Sequence, residues 1–400
     1  MVSDAYCTKS VDDNDASRLV MGNLLGGNVC LYVCIYQRLP QSVVECCDHR
    51  KRKNHHNVMP KVTLNHIWKI FGPNPQHVLE TMDKNASRDE TLSQTGHVVA
   101  VRDVSLEIAE SEIFVVMGLS GSGKSTLIRC LSRLIEPTAG EVIINGADVT
   151  RMNENDLREL RRHTVSMVFQ RFGLFPHRRV IDNVAFGLEI QGQGEEERRT
   201  KAKEVLDLVG LTSWENHYPH ELSGGMQQRV GLARALAVDP EIMLCDEPFS
   251  ALDPLIRRDM QNELLHLQTS LNKTLIFITH DFLEAIKLGD RIAIMKDGEI
   301  VQIGTPQEIV ASPANLYVKE FTQDVPRAKV LTAASIMQPV DRTQPSADVE
   351  GNRRVLPQTT LEALIPQVLD GDSGLSVVDE DGVIVGTLDQ RTVLLAMGEG

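Results

Sequence analysis

Apolar positions along this chain fall into three patterns, and their order predicts an alternation of strands and helices. Ile113-Phe-Val-Val-Met117 is a short apolar run that reads as a buried strand. Ile242-Met-Leu-Cys245 and Thr274-Leu-Ile-Phe-Ile-Thr279 are too apolar to have a wet face and read as central parallel strands. Val98 to Ile108 instead alternates apolar and polar residues, as a half-buried strand does. Val62-Thr-Leu64, Ile67-Trp-Lys-Ile-Phe71, Glu141 to Gly146 and Val165-Ser-Met-Val-Phe-Gln170 add further strand material. Helical spacing appears at Leu127, Ile128, Leu131, Leu134 and Ile135. It recurs as a charged helix over Asn153 to Arg162, from Val180 to Val209 with a charged hinge at Gln191 to Arg199, and from Glu221 to Val238. Ile292 to Met295 and Ile300 to Ile303 flank Lys296-Asp-Gly298-Glu299, a strong hairpin signal. Pro73 to Gly96 is a polar insertion, expected to be partly helical at best.

Between the strand ending at Met117 and the helix that follows lies Gly118-Leu119-Ser120-Gly121-Ser122-Gly123-Lys124-Ser125-Thr126, with the spacing of a phosphate loop. Strand, glycine-rich turn and helix are the context that gives this pattern a mechanism. The glycines let the backbone close tightly around a polyphosphate, and the helix N-terminus adds partial positive charge. Lys124 is placed to reach the β- and γ-phosphates, and the Ser125 hydroxyl to ligate Mg²⁺.

Further signals follow in a fixed order. Asp246 and Glu247 close an apolar strand, where open α/β sheets bind ligands, and Pro248-Phe-Ser-Ala-Leu-Asp253 continues from them. Leu222-Ser223-Gly224-Gly225-Met226 opens a helix and is physically a second anion site. Gln170 and His280 each end a strand. Together with the phosphate loop, these segments resemble the ATPase subunit of an ABC transporter over Val62 to Gln323.

That resemblance implies an α/β P-loop NTPase fold of ABC ATPase type: a mixed-sheet core, an antiparallel β subdomain and a helical subdomain near residues 172–236. It implies ATP and Mg²⁺, with Asp246 holding the metal and Glu247 as the base that polarises the attacking water. Gln170 is expected at the metal or the lytic water, and His280 at the γ-phosphate. Phe71 is expected as the adenine-stacking aromatic, or else as a core residue. One subunit does not need two γ-phosphate sites, so Ser223, Gly224 and Gly225 are expected to close over ATP held by Lys124 of a second copy in a head-to-tail homodimer. The 73–96 insertion, the methionine at position 226 and the run Phe249-Ser-Ala-Leu-Asp-Pro-Leu-Ile-Arg257 resemble the glycine betaine/proline betaine importer subgroup. Such a subunit works at the cytoplasmic face of the membrane with an integral permease, docked near Arg171 to Arg179, and through it with an extracytoplasmic binding protein. The competing expectation is a soluble ABC-type ATPase acting on ribosomes or DNA. Those usually carry two cassettes or a long coiled coil, whereas this chain has one phosphate loop and no sustained heptad repeat.

Composition narrows the reading further. A chain of 400 residues exceeds the usual single core. The ATPase is expected over residues 59–324, and a break at Asp324 to Lys329, marked by Pro326, leaves residues 330–400 as an acidic α+β module. That module resembles a single or degenerate CBS-type repeat, with Leu331 to Met337 as its opening and a hairpin over Gly374 to Gly386. A net charge of −14 with no basic stripe argues against nucleic acid. Five of seven cysteines (Cys7, Cys30, Cys34, Cys46, Cys47) lie in the first 47 residues. With His49 they match no common zinc spacing, and a disulfide framework does not suit an ATP-using chain. Leu19 to Tyr36 is uncharged, but Asn23, Asn28, three glycines and an acidic flank make it neither span nor signal. Residues 1–58 read as a foreign extension, disordered or a product of an over-long reading frame, with Met59 as the alternative start.

Overall fold

The computed structural model describes residues 59–84, 86–170, 173–250, 252–340, 353–369 and 374–398. The N-terminal cysteines, His49 and Leu19 to Tyr36 therefore lie outside the described residues, as do Arg171 and Phe172. Strand β1 (Val62–Phe71) is one continuous strand where the apolar pattern suggested two. Register shifts at Leu64/Ile67 and beyond, with His66 at φ 50°, absorb the break. The insertion follows and is more ordered than its polarity suggested. It folds as α1 (Pro75–Thr81) and α2 (Arg88–Thr95). A capping box of Ser87 and Glu90 opens α2, and Val78 on α1 packs with Trp68, Ile70 and Val99.

Strand β2 (Val98–Ile108) returns antiparallel to β1, and its outer half keeps the expected alternation of buried and exposed residues. After β3 (Ile113–Met117) and α3 (Lys124–Leu131), strands β4 (Ala139–Ile144) and β5 (Ala147–Asp148) complete a sheet of order β2-β1-β4-β5. Helix α4 (Glu154–Glu159) ends in a π-helical turn, Leu160–Thr164, which hands the chain to β6 (Val165–Val168).

Between β6 and the next strand the chain is helical: α5 (Val180–Val184), α6 (Phe186–Ile190), α7 (Glu195–Leu208) and α8 (Gly224–Ala237). The charged run expected as a hinge is instead the first turn of α7. Glu195, Glu196 and Glu197 sit there, where the helix dipole favours carboxylates. Strand β7 (Ile242–Asp246), α9 (Pro254–Leu271), β8 (Thr274–Thr279), α10 (Phe282–Leu288) and the hairpin β9 (Arg291–Lys296) and β10 (Glu299–Gly304) follow. The six-stranded sheet has order β10-β9-β3-β8-β7-β6, parallel except for the β9–β10 hairpin.

Period-2 geometry explains why its central strands are apolar throughout. On β3, Ile113, Val115 and Met117 enter one core while Phe114 and Val116 enter another. Residues 242–245 of β7 and 275–278 of β8 divide between the same two cores. One core lies against the antiparallel sheet and α3; the other lies beneath the helices and continues into the C-terminal tail. Cys130 and Cys245 are buried in these cores as free thiols, each pushed up to about 12, in the first place by burial.

Beyond β10 come α11 (Pro306–Ala311), α12 (Leu316–Thr322), α13 (Arg327–Val330) and α14 (Ala333–Ile336). Strands β11 (Gln338–Pro339), β12 (Arg353–Val355), β13 (Leu375–Val378) and β14 (Ile384–Leu388) form a sheet of order β11-β14-β13-β12, with α15 (Leu361–Leu369) between β12 and β13 and α16 (Gln390–Gly398) after β14. Val330, Leu331 and Ala333 share one apolar core with Ile309, Val310 and Val318. No helix among the described residues is long and apolar enough to cross a membrane.

Candidate functional site

The turn from β3 into α3 needs left-handed backbone at three positions, and each is glycine: Gly118 at φ 152°, Gly121 at 82° and Gly123 at 105°. At two of them space is decisive as well. A Cβ on Gly118 would lie 2.1 Å from the Met295 carbonyl oxygen, and one on Gly123 would lie 2.1 Å from that of Ala100. The loop thus lies flat on the backbones of β2 and β9, and Gly298 N–H donates to Ser122 O at 3.0 Å. Leu119, Ser120 and Gly121 are exposed. Thr126 follows Ser125 in the first turn of α3.

Lys124, the first residue of α3, is only 4% exposed. Its Nζ donates to Gly118 O at 2.8 Å and Leu119 O at 3.0 Å. Burial holds this ammonium below the usual lysine range, with the charges of Glu247 and Asp246 opposing the shift. Ser125 Oγ donates to Asp246 Oδ1 at 2.7 Å, and Arg129 Nη2 donates to Oδ2 at 3.1 Å.

Strand order brings the remaining groups to the same edge. Strands β8, β7 and β6 are neighbours and parallel. The C-terminal ends of these strands and the residues just past them therefore deliver His280, Asp246 with Glu247, and Gln170 side by side, next to the loop that follows β3. Glu247 is the hub. Its Oε1 is 3.9 Å from Lys124 Nζ, and its Oε2 is 3.2 Å from His280 Nδ1 and 3.3 Å from Gln170 Nε2. Glu247 itself sits at φ 46°, a left-handed conformation costing a non-glycine residue about 1–2 kcal/mol. Hydrogen bonds hold it there: Glu247 N–H to Ile278 O at 3.1 Å, and Ser250 Oγ to Glu247 O at 3.1 Å. Such strain at a cluster of ionisable groups is characteristic of functional sites.

The donor set suits a hard cation. Ser125 Oγ, the Asp246 carboxylate and the Gln170 amide oxygen are all oxygen ligands. Among the described residues no three His, Cys, Asp or Glu side chains gather into a metal cage. Ser122 Oγ is buried in the loop without a hydrogen-bond partner, an orphan that a ligand oxygen would satisfy.

The structure does not bring every expected residue to this cluster. Ser223 caps α8, its Oγ accepting from Met226 N–H at 3.4 Å. A Cβ on Gly225 would lie 2.6 Å from Ile256 Cγ2, and Met226 packs toward the helical core. Ser223 and Gly224 remain exposed, and no hydrogen bond or ion pair among the described residues ties them to the phosphate loop. Phe71, at the end of β1, is 41% exposed, with Lys69 Nζ 5.0 Å from its ring centroid. It stands outside the core.

Three contributors escaped the sequence reading. Arg129 lies one turn beyond Ser125 on α3, a spacing from which its approach to Asp246 was readable. Ser250 accepts from Gln170 Nε2 at 3.5 Å while supporting Glu247. Gln228, buried on α8, donates to Pro248 O and links the Ser-Gly-Gly helix to the turn after Glu247.

Comparison with known proteins places this geometry. The ABC transporter family model matches residues 101–250. The chain is 55% identical over 278 residues to the glycine betaine transport ATP-binding protein OpuAA of Bacillus subtilis, covering 70% of this chain and 66% of OpuAA. It is 48% identical over 336 residues to the trimethylamine N-oxide transport system ATP-binding protein TmoW of Ruegeria pomeroyi, covering 84% of this chain and 96% of TmoW. It is 53% identical over 276 residues to the glycine betaine/proline betaine transport system ATP-binding protein ProV of Escherichia coli, covering 69% of each. Among solved structures, the ATP-binding cassette MJ0796, a dimer in a post-hydrolysis state bound to ADP and Pi, matches with a TM-score of 0.52 at 34% identity. That match covers 61% of this chain and 98% of the cassette.

Proposed function

The chain belongs to the ABC transporter ATP-binding family, and we propose that it hydrolyses ATP to drive uptake of glycine betaine, proline betaine or a related methylated-nitrogen solute through a separate permease. The observation that carries the hydrolytic part is the convergence of Lys124, Gln170 and His280 on the Glu247 carboxylate at the mouth of the phosphate loop. Phosphoryl transfer to water needs positioning and charge neutralisation more than covalent chemistry. Glu247 orients and polarises the water. Lys124 and the loop N–H groups hold the β- and γ-phosphates, and His280 faces the γ-phosphate. Ser125, Asp246 and Gln170 would hold Mg²⁺, which neutralises phosphate charge when bound.

A second copy of the chain completes the site. Ser223, Gly224 and Gly225 form a capped helix N-terminus, Ser223 and Gly224 exposed, which suits an anion site that serves a neighbour's nucleotide. The names of relatives that transport glycine betaine and trimethylamine N-oxide support the cargo class. The ATPase is read over residues 59–324 at the cytoplasmic face of the membrane, with residues 330–400 as an appended regulatory module. Tagged chain purified from detergent-solubilised membranes of its host should bring down a polytopic membrane protein, and its deletion should abolish uptake of radiolabelled glycine betaine or trimethylamine N-oxide. Recovery of ribosomes with uptake intact would favour the soluble ATPase instead.

A further inference from the structure

The 73–96 insertion is a built object, and among the described residues a cation on it hydrogen-bonds to the phosphate loop. Arg102, 8% exposed on β2, donates from Nη1 to Ala86 O at 2.8 Å and Lys84 O at 3.3 Å, fixing the segment that leads into α2. The Ser87–Glu90 capping box sets the first turn of that helix, with hydrogen bonds of 2.7 and 3.2 Å. His97 closes the insertion by pairing with Pro73 O at 2.6 Å and Thr95 O at 2.7 Å. Arg88, the first residue of α2, then donates from Nη1 to Gly121 O at 2.6 Å. Arg88 forms no ion pair with a carboxylate among the described residues.

We propose that Arg88 is a positioning residue for nucleotide, delivered by the insertion onto the phosphate loop. Its guanidinium fixes the carbonyl of the Gly121–Ser122 peptide toward the insertion, while the N–H of the same peptide donates to Leu119 O at 3.2 Å, so the two hydrogen bonds together set that peptide's orientation. Its charge adds to the positive field that a polyphosphate meets there. Gly121 has no heavy atom within 4 Å of an added Cβ, so that side of the loop is open. The inference rests on the nucleotide-binding reading above.

The test uses the full chain and the fluorescent nucleotide mant-ATP with Mg²⁺, comparing native protein with Arg88→Ala and Arg88→Lys. A charged donor on a carbonyl predicts affinity lowered about fivefold to tenfold in Arg88→Ala. Lysine, which keeps the charge and a donor, should restore affinity to within about twofold. The native chain should lose affinity more steeply with added salt than Arg88→Ala does. Thermal unfolding midpoints should be alike for all three. Arg88→Ala binding as native would overturn the proposal, as would an affinity loss accompanied by a lowered midpoint and no rescue by lysine. Native protein that fails to bind mant-ATP would instead overturn the nucleotide reading itself.

Discussion

Replacing Glu247 by glutamine separates chemistry from binding at this site. The amide keeps the shape of the carboxylate, so the contacts with Gln170 and Ser250 and the left-handed backbone at φ 46° persist. What disappears is one negative charge 3.9 Å from Lys124 Nζ. At an effective dielectric near 20 that pair attracts by about 4 kcal/mol, before the cost of burying both groups is subtracted. Asp246 remains beside Lys124, hydrogen-bonded to Ser125 and Arg129, so the lysine keeps a counter-charge. The carboxylate that repels a γ-phosphate is gone, and Mg·ATP affinity should hold or rise. Turnover should fall about 10²–10⁴-fold, the contribution of a positioned general base, which is about 3–5 kcal/mol of barrier. Phosphate release at saturating Mg·ATP measures the turnover and mant-ATP titration the affinity. Turnover within about tenfold of native, with binding intact, would refute the assignment of Glu247 as base.

Two glycines in one loop should differ sharply. Gly123→Ala drives a Cβ to within 2.1 Å of Ala100 O and should abolish nucleotide binding. Gly121→Ala meets no atom within 4 Å and should cost about 1–2 kcal/mol, from backbone strain alone. Chemical denaturation with nucleotide titration checks both, and equal effects would refute the packing argument. Glu284 on α10 is held above its ordinary value of 4.5, chiefly by burial, against hydrogen bonds from Thr279 and Gln261 and the charge of Arg257; Asp281 adds to the rise. A carboxyl with a raised folded pKa stabilises the fold below its unfolded value and loses that contribution as pH climbs through the folded one. Glu284→Gln should therefore raise the unfolding midpoint at neutral pH and lose that advantage below pH 4.5. A difference independent of pH would contradict this.

Short-range rules carry much of the fold. The phosphate loop is one unbroken segment whose glycines answer φ requirements within a few residues of one another, and the buried strands declare themselves by having no polar face. The Ser223 cap and the β9–β10 hairpin are likewise local. The Ser87-x-x-Glu90 signature was also present in the sequence, yet α1 and α2 are held as much by Val78 against Trp68 and Ile70 as by that cap. Burial of this kind depends on where β1 lies, and a polar composition hides it.

The sequence alone determined which residues carry charge, where the backbone must turn and which segments cannot face water, because those properties act over one or two turns of chain. Only the tertiary structure decided that residues 124, 170, 247 and 280 meet within hydrogen-bonding or ion-pair distance. It alone placed Glu247 in left-handed backbone and set Arg88 on the loop of Gly121. The reason is topological: strand order β3-β8-β7-β6 is settled by the packing of two cores on opposite faces of one sheet. No window of the chain contains more than a fraction of either core.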